Sequence, residues 1–278
     1  MDLRRIVVGV DGSGAARRAL AAALTIAEGV GAQVVAVHAL GLLDHLQDPA
    51  DSDEQWRADV RRRVETTWCA PLLAAGGGHR VELRDGPAPD VVLAVAQEES
   101  AVLIIVGSRG VGAEPTRALG STSLRLLEAS RIPVLVVPDD GATPPPPGAG
   151  ALQRRILAGI DPDDPTLGAL DPAVAIAATV GAELVCVAAV PDAGTDVRHL
   201  QVALADRGLP PAEVEVGDPA TVVMAAAERH DADLVAVGTR NGGGPVDLLL
   251  GSVARTVAGR GRRPTLVVPT TWSAPVAG

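Results

Sequence analysis

Short apolar runs of strand length alternate along this chain with longer Ala-rich stretches whose apolar positions recur at helical spacing. Arg5 to Val10 is the first run and ends at Asp11; a second follows Gly31 in Gly31-Ala-Gln-Val-Val-Ala-Val, another spans Val102 to Val106, and a last one spans Pro133 to Val137. Gly14 to Glu28, Pro87 to Glu99 and Ser121 to Ala129 read as the helices between them. The same order then returns. Arg155 to Ile160 ends at Asp161, Gly181-Ala-Glu-Leu-Val-Cys-Val matches the second run, and Leu234 to Val237 and Pro264 to Val268 match the later ones. The matching helices are Leu167 to Val180, Ala220 to His230 and Ser252 to Ala258.

The copies lie 150 residues apart through the second strand and 131 apart from Gly86 and Gly217 onward, so the second copy is 19 residues shorter between its second and third strands. The first copy therefore carries a longer second helix or loop, roughly Asp53 to Ala75, against a shorter one near Asp196 to Arg207. Strand alternating with helix implies parallel strands joined by right-handed crossovers. The expected fold is α/β, with two tandem doubly wound, Rossmann-like domains, each a five-stranded parallel sheet flanked by helices. Asp139 to Gly150 reads DDGATPPPPGAG, which continues neither a helix nor a central strand. Domains are thus expected over residues 1–139 and 153–278, with a Pro/Gly-rich linker over 140–152. The prolines that open the two last strands fit an edge or terminal position.

Composition narrows the function. The 278 residues are 47% hydrophobic yet include no Phe and no Tyr, so Val, Leu, Ile and Ala must fill the cores, as suits buried parallel strands. There is no lysine: all 24 basic residues are arginine, against 34 acidic ones, for a net charge of −10. A lysine-dependent P-loop is excluded, and a nucleic-acid surface lacks the cations it needs. Arg61 to Arg63 read as the solvated face of a helix. Cys69 and Cys186 fall in different repeats outside any CxxC spacing, which points to a reduced cytoplasm rather than a disulfide framework or zinc. With no signal-peptide pattern and no apolar stretch of spanning length, a cytoplasmic protein without membrane insertion is expected.

In a doubly wound sheet, ligands bind at the carboxyl ends of the strands. The notable residues fall there. After the Val102 to Val106 run comes GSRGVGAEPTRALGSTS: Gly107, two residues, Gly110, nine residues, then Gly120-Ser121. The pattern returns as Gly238, Asn241, Gly251 and Ser252. Gly107 and Gly110 would let main-chain amides face an anion, while Gly120 and Ser121 open a helix with free first amides and a positive end. Hydroxyls of Ser121, Thr122 and Ser123 add donors, although Ser121 serves equally well as a helix cap. Asp11, before Gly12 and Ser13, either meets a ribose or exocyclic amine or caps the first helix. Asp161-Pro162-Asp163-Asp164 offers oxygens for Mg2+ beside a phosphate, and equally an acidic turn that repels nucleotide or meets solvent. His38 reads as a satisfied strand-end histidine, with Ala188 its counterpart; His45, His79, His199 and His230 have no metal-ligand spacing.

With strand, Asp11-Gly12-Ser13 and the glycine pattern in this order, both halves resemble the universal stress protein family, and the whole chain resembles a tandem-domain member. Ile132-Pro-Val-Leu-Val-Val-Pro and Arg263-Pro-Thr-Leu-Val-Val-Pro are similar to that family's final strand. The resemblance implies the ATP-binding branch. Val10, Asp11, Gly12 and Ser13 would meet the adenosine end, main chain around Val37 and His38 would line the base, and Gly107, Arg109, Gly110, Gly120, Ser121, Thr122 and Ser123 would hold the phosphates. In the second half Asp161, Gly238, Arg240, Asn241, Gly251, Ser252 and Val253 stand in those places. Asn241 for glycine and Pro162 for Gly12 set this copy apart. The resemblance also implies pairing through the final strands, Val134 to Val137 and Thr265 to Val268, either between the halves or in a homodimer. The implied role is nucleotide-dependent stress response with an unidentified protein partner and no rapid catalysis. Slow ATP hydrolysis or phosphoryl transfer, and a nucleotide-free interaction module, are the alternatives.

Overall fold

A computed structural model describes residues 5–41, 53–111, 118–139, 155–163, 167, 170–239, 250–270 and 272. The proposed linker, 140–152, and Arg240, Asn241 and Asp164 lie outside these residues.

The first half runs β1 (Arg5–Gly9), α1 (Gly14–Val30), β2 (Gln33–Leu40), α2 (Asp53–Arg63), a π-turn (Val64–Trp68), α3 (Ala70–Ala75), β3 (Arg80–Asp85), α4 (Ala88–Glu98), β4 (Leu103–Gly107), α5 (Ser121–Ala129) and β5 (Val134–Val137). The second runs β6 (Arg155–Ile160), α6 (Leu170–Val180), β7 (Glu183–Val190), α7 (Arg198–Asp206), β8 (Glu213–Val216), α8 (Pro219–Arg229), β9 (Leu234–Gly238), α9 (Ser252–Arg260) and β10 (Thr265–Val268). The α/β architecture is thus the one the alternation predicts. Within each half, strands are parallel in the order 3-2-1-4-5 or its counterpart.

The two sheets are joined. β5 pairs antiparallel with β10, with Val136 opposite Thr265, Leu135 opposite Leu266 and Val134 opposite Val267. One ten-stranded sheet results, β3-β2-β1-β4-β5-β10-β9-β6-β7-β8. The strands that open after proline are therefore its centre and not its edges. Proline is tolerated because Pro133 and Pro264 stand one residue before each strand and contribute only carbonyls, which accept from Ile104 N and Val235 N at 2.9 Å. The real edges, β3 and β8, carry alternating charge. Arg84 holds Glu98 of α4 through both guanidinium nitrogens, at 2.8 and 2.5 Å, and such charged edges discourage further strand pairing.

Period-two alternation sends Ile6, Val8, Leu103, Ile105, Leu135 and Leu266 to one face of the sheet, under α1, α2 and α6. Val7, Ile104, Val106, Val134, Val136 and Val267 go to the other, under α4, α5, α8 and α9. Both core layers cross the seam. Arg255 of α9 pairs with Glu128 of α5 at 3.0 Å, and Gly29 of α1 lies against Thr179 of α6, adding helix contacts on the two faces. The longer segment of the first half packs Trp56, Val60, Val64, Cys69 and Leu72 onto the α1 face.

Glu99, just past α4, ties distant elements: Arg80 of β3 contacts it at 2.6 Å and Arg5 of β1 pairs with its other oxygen. Arg80 chiefly, then Arg5, hold its carboxyl below its ordinary value of 4.5. The stability that this lowering adds is full above that ordinary value and is lost as pH falls through the lower native one. Glu99→Gln should therefore flatten the acid limb of an unfolding-against-pH curve while leaving the limb above pH 7 unchanged in slope. Truncation at the seam tests the shared core: Leu135→Ala should cost about 2–5 kcal/mol in urea unfolding, and a cost below about 1 kcal/mol would show that the seam is not close-packed.

Candidate functional site

β1 and β4 are neighbours, yet the helix after β1 packs on one face of the sheet and the helix after β4 on the other. Chain leaving the two strand ends diverges, and a crevice opens between them. Its volume is about 880 Å³, and its walls come from the ends of β1, β2 and β4, the turn before α4, the start of α5, and Arg63 and Trp68 of the longer segment. That size suits a small organic ligand.

Asp11 ties the two lips together. Its Oδ1 accepts from Ser13 N at 3.0 Å and its Oδ2 from Val111 N, in the glycine loop, at 2.9 Å. It does not cap α1; Ser13 does, accepting from Ala16 N through Oγ at 3.1 Å, and the same hydroxyl donates to Arg109 O at 3.4 Å. The two loop glycines have a structural reason that differs from the one their spacing suggested. A Cβ on Gly110 would fall on Asp11 Oδ2, and one on Gly107 would stand 2.6 Å from Ala15 Cβ and 2.9 Å from Ala16 N. Glycine at both sites admits neighbouring protein atoms, bringing the loop down on the start of α1.

The anion-binding part is narrower than the motif. Gly120 N donates to Ser108 O at 2.8 Å, and Gly120 precedes α5 in an extended conformation with no side-chain cap. The positive end of α5 thus faces the crevice. Ser121 is exposed and Thr122 half-buried at that end, whereas Ser123 is buried and its Oγ donates to Gly107 O at 2.6 Å. The hydroxyl expected to serve a ligand is engaged in holding the loop to the helix. Arg109 lines the crevice, and so does Arg63. The arginine cluster therefore divides: Arg61 and Arg62 pair with Glu65 and Asp59 on the surface, while Arg63 borders the site.

His38 is 5% exposed and only half satisfied. Its Nδ1 lies 2.8 Å from Val10 O, which can only accept, so Nδ1 carries the proton. Nε2 is then a buried acceptor, and it has no hydrogen-bond partner. Such a group costs about 1–3 kcal/mol. Trp68 lies across the crevice, its ring centroid 5.1 Å from that of His38 at 77°. It packs so closely on the first turn that a Cβ on Gly12, whose φ is +79°, would meet Trp68 Cζ2 and Nε1 at 2.6 and 2.7 Å. Sequence reasoning passed over Trp68. Its signal was present: one of three tryptophans in a chain without Phe or Tyr, inside the segment that only the first repeat has.

The second half keeps the frame but not the furnishings. Thr239 N donates to Val268 O and Gly251 N to Thr239 O, as Ser108 N does to Val137 O and Gly120 N to Ser108 O. Gly238 ends β9, Gly251 precedes α9 without a side-chain cap, and Ser252 opens that helix. Val253, expected at the ligand, packs against the core. Asp161 accepts from Asp163 N at 3.0 Å, but Pro162 replaces Gly12, and proline cannot adopt the positive φ found there. Instead Pro162 O accepts from His199 Nε2 of α7 at 2.7 Å. Among the described residues no cluster of three or more His, Cys, Asp or Glu could hold a metal, and no helix is long and apolar enough to cross a membrane.

A duplicated, doubly wound fold with a crevice at its switch point defines a class of small-ligand-binding α/β proteins. The profile of the universal stress protein family matches residues 2–138 and 208–269, and the chain belongs to that family. Universal stress protein Rv2623 of Mycobacterium tuberculosis H37Rv is 31% identical over 94% of this chain and 95% of its own length, which makes the tandem arrangement a shared one. A universal stress protein of Thermus aquaticus is 33% identical over 48% of this chain and 98% of its own length, the measure of one repeat. In fold, the chain is similar to the crystal structure of a universal stress protein from Archaeoglobus fulgidus, with a TM-score of 0.72, 22% identity, and coverage of 96% of this chain and 99% of that one.

Gly107→Ala should lower stability by about 1–3 kcal/mol through overpacking on Ala15. Gly120→Ala, whose new Cβ would find Arg109 Cα at 3.4 Å, should cost less than about 1 kcal/mol. Thermal unfolding of the two variants side by side checks the order, and equal costs would contradict the close approach at Gly107.

Proposed function

We propose that the first half binds ATP in this crevice and that the bound nucleotide, rather than its turnover, is the functional state in a cytoplasmic stress response. The observation that carries the reading is the pairing, across one cavity, of an uncapped helix N-terminus with a buried, unpartnered acceptor on His38. One end suits a polyphosphate and the other a polar heterocycle. Arg63 and Arg109 add positive charge at the walls. Mg2+ enters this reading only as the counter-ion of the triphosphate.

A binding role fits better than hydrolysis because the acidic and basic groups of the crevice are engaged in structure. Both oxygens of Asp11 accept main-chain amides, and His38 is fixed to Val10 O, so neither is set to orient an attacking water. The second half is proposed to bind nucleotide weakly or not at all, since its first turn is reshaped by Pro162 and the His38 position is Ala188. Because β5 and β10 pair within the chain, a second copy or a protein partner would meet a different surface. Cys69 and Cys186, whose thiols burial raises to about 12 and about 11, act as core residues in a reducing compartment.

Native mass spectrometry of the full chain should find one equivalent of adenine nucleotide, retained or taken up. A chain that neither retains nor binds it at millimolar concentration refutes the proposal. Ser121→Glu separates binding from folding, because a carboxylate in the first turn of α5 favours the helix by about 0.3–1 kcal/mol yet repels phosphate. ATP affinity should fall at least about tenfold with no loss of thermal stability.

A further inference from the structure

Resting on the nucleotide reading, we infer that the His38 side chain selects the base: Nε2 accepts a hydrogen bond from an exocyclic amino group, and Trp68 is the movable wall that uncovers it. The strand ends leave the side chain as the acceptor at this corner. Val37 O already accepts from Val10 N at 2.9 Å, and Val10 O already accepts from His38 Nδ1 at 2.8 Å. His38 and Ala39 are also in register with Leu83 and Arg84 of β3, which ties the outer side of β2. What is left is a lone pair on a neutral imidazole, buried, unpartnered and on the wall of the crevice.

An acceptor in that position distinguishes bases by the polarity of one group. An amino substituent, as on adenine or cytosine, presents a donor; a keto oxygen in its place sets acceptor against acceptor inside a dry site, where an unmade hydrogen bond is most costly. Trp68 completes the device. Its indole packs on Gly12 and stands edge-to-face with His38, covering the ring whose Nε2 is sealed from solvent, so a base reaches that atom by displacing the indole. The π-turn that ends at Trp68 adds one residue to a helical turn and so sets the indole's direction separately from the α2 face above it. Neither part exists in the second repeat, where Ala188 replaces His38 and α7 is the shorter element, so the selection belongs to the first half alone.

Calorimetry of the wild-type full chain with ATP and with inosine triphosphate, which carries a keto oxygen in place of the amino group, tests the inference without any substitution. ATP should bind about tenfold tighter or more. In His38→Leu the ratio should fall to within about twofold, and in His38→Gln, which restores an acceptor oxygen, the preference for ATP should return. Addition of ATP should change tryptophan emission in the wild-type chain and not in Trp68→Leu. Equal binding of the two nucleotides by the wild type, or an undiminished ratio in His38→Leu, overturns the role of His38 while leaving nucleotide binding intact. Tight ATP binding with no change in emission overturns the movable wall. Binding of neither nucleotide overturns the reading on which both rest.

Discussion

The antiparallel pairing of β5 with β10 is the constraint on which the rest of this molecule depends. Each repeat alone would end in an apolar strand with one unpaired edge, and a half-sheet of that kind is a template for association. Joining the two edges turns two five-stranded sheets into one of ten and places Leu135, Leu266, Val134 and Val267 at the middle of a continuous core on both faces. The charged strands β3 and β8 are left outside, where charge limits further growth. The tandem repeat therefore achieves within one chain what two single-repeat chains would need association to achieve, and the local concentration of one half around the other is set by covalent linkage.

The crevice inherits its rigidity from this frame. β1 and β4 are interior strands, so the turns that leave them start from fixed points, and Asp11 closes the gap between those turns with two main-chain hydrogen bonds. Ser13, Ser123 and Gly120 add bonds between the first turn, the loop and α5. Much of what looks like a ligand motif is thus a device for holding two turns close together. The groups left over, the first turn of α5 and the far nitrogen of His38, mark where a ligand has room to bind.

Duplication followed by divergence explains why the two halves are unequal. Hydrogen bonds that define the loop frame are matched in both copies, since they involve main chain and survive side-chain change. The parts that would contact a ligand through side chains are not matched: Gly12 faces Pro162, His38 faces Ala188, and the segment bearing Arg63 and Trp68 is shortened. A second half without these groups still supplies half the core and one side of the seam, which is reason enough for its fold to be kept.

Alternation of apolar runs with helical periodicity, the two Asp-ended first strands and the two glycine patterns made the fold and the place of the site legible from sequence, because strand burial, helix amphipathicity and close backbone approach each demand particular residues at local spacing. Helices such as Ser121–Ala129 match the periodic segments residue for residue. Three things could not be read locally. Pro133 and Pro264 suggested edges, but a partner strand 130 residues away made those strands the centre. Ser123 and Gly110 looked like ligand groups, and only the packing of α5 on the loop and of Asp11 beneath it showed them engaged with protein. His38 and Trp68 lie 30 residues apart on different elements, and their contact exists only once the longer segment folds over the end of β2. The sequence by itself determined which elements form and where strand ends leave a crevice, because those follow from short-range pattern; the tertiary structure alone decided which polar groups there are already satisfied and which remain for a ligand, because hydrogen-bond satisfaction is a property of neighbours that the chain brings together only on folding.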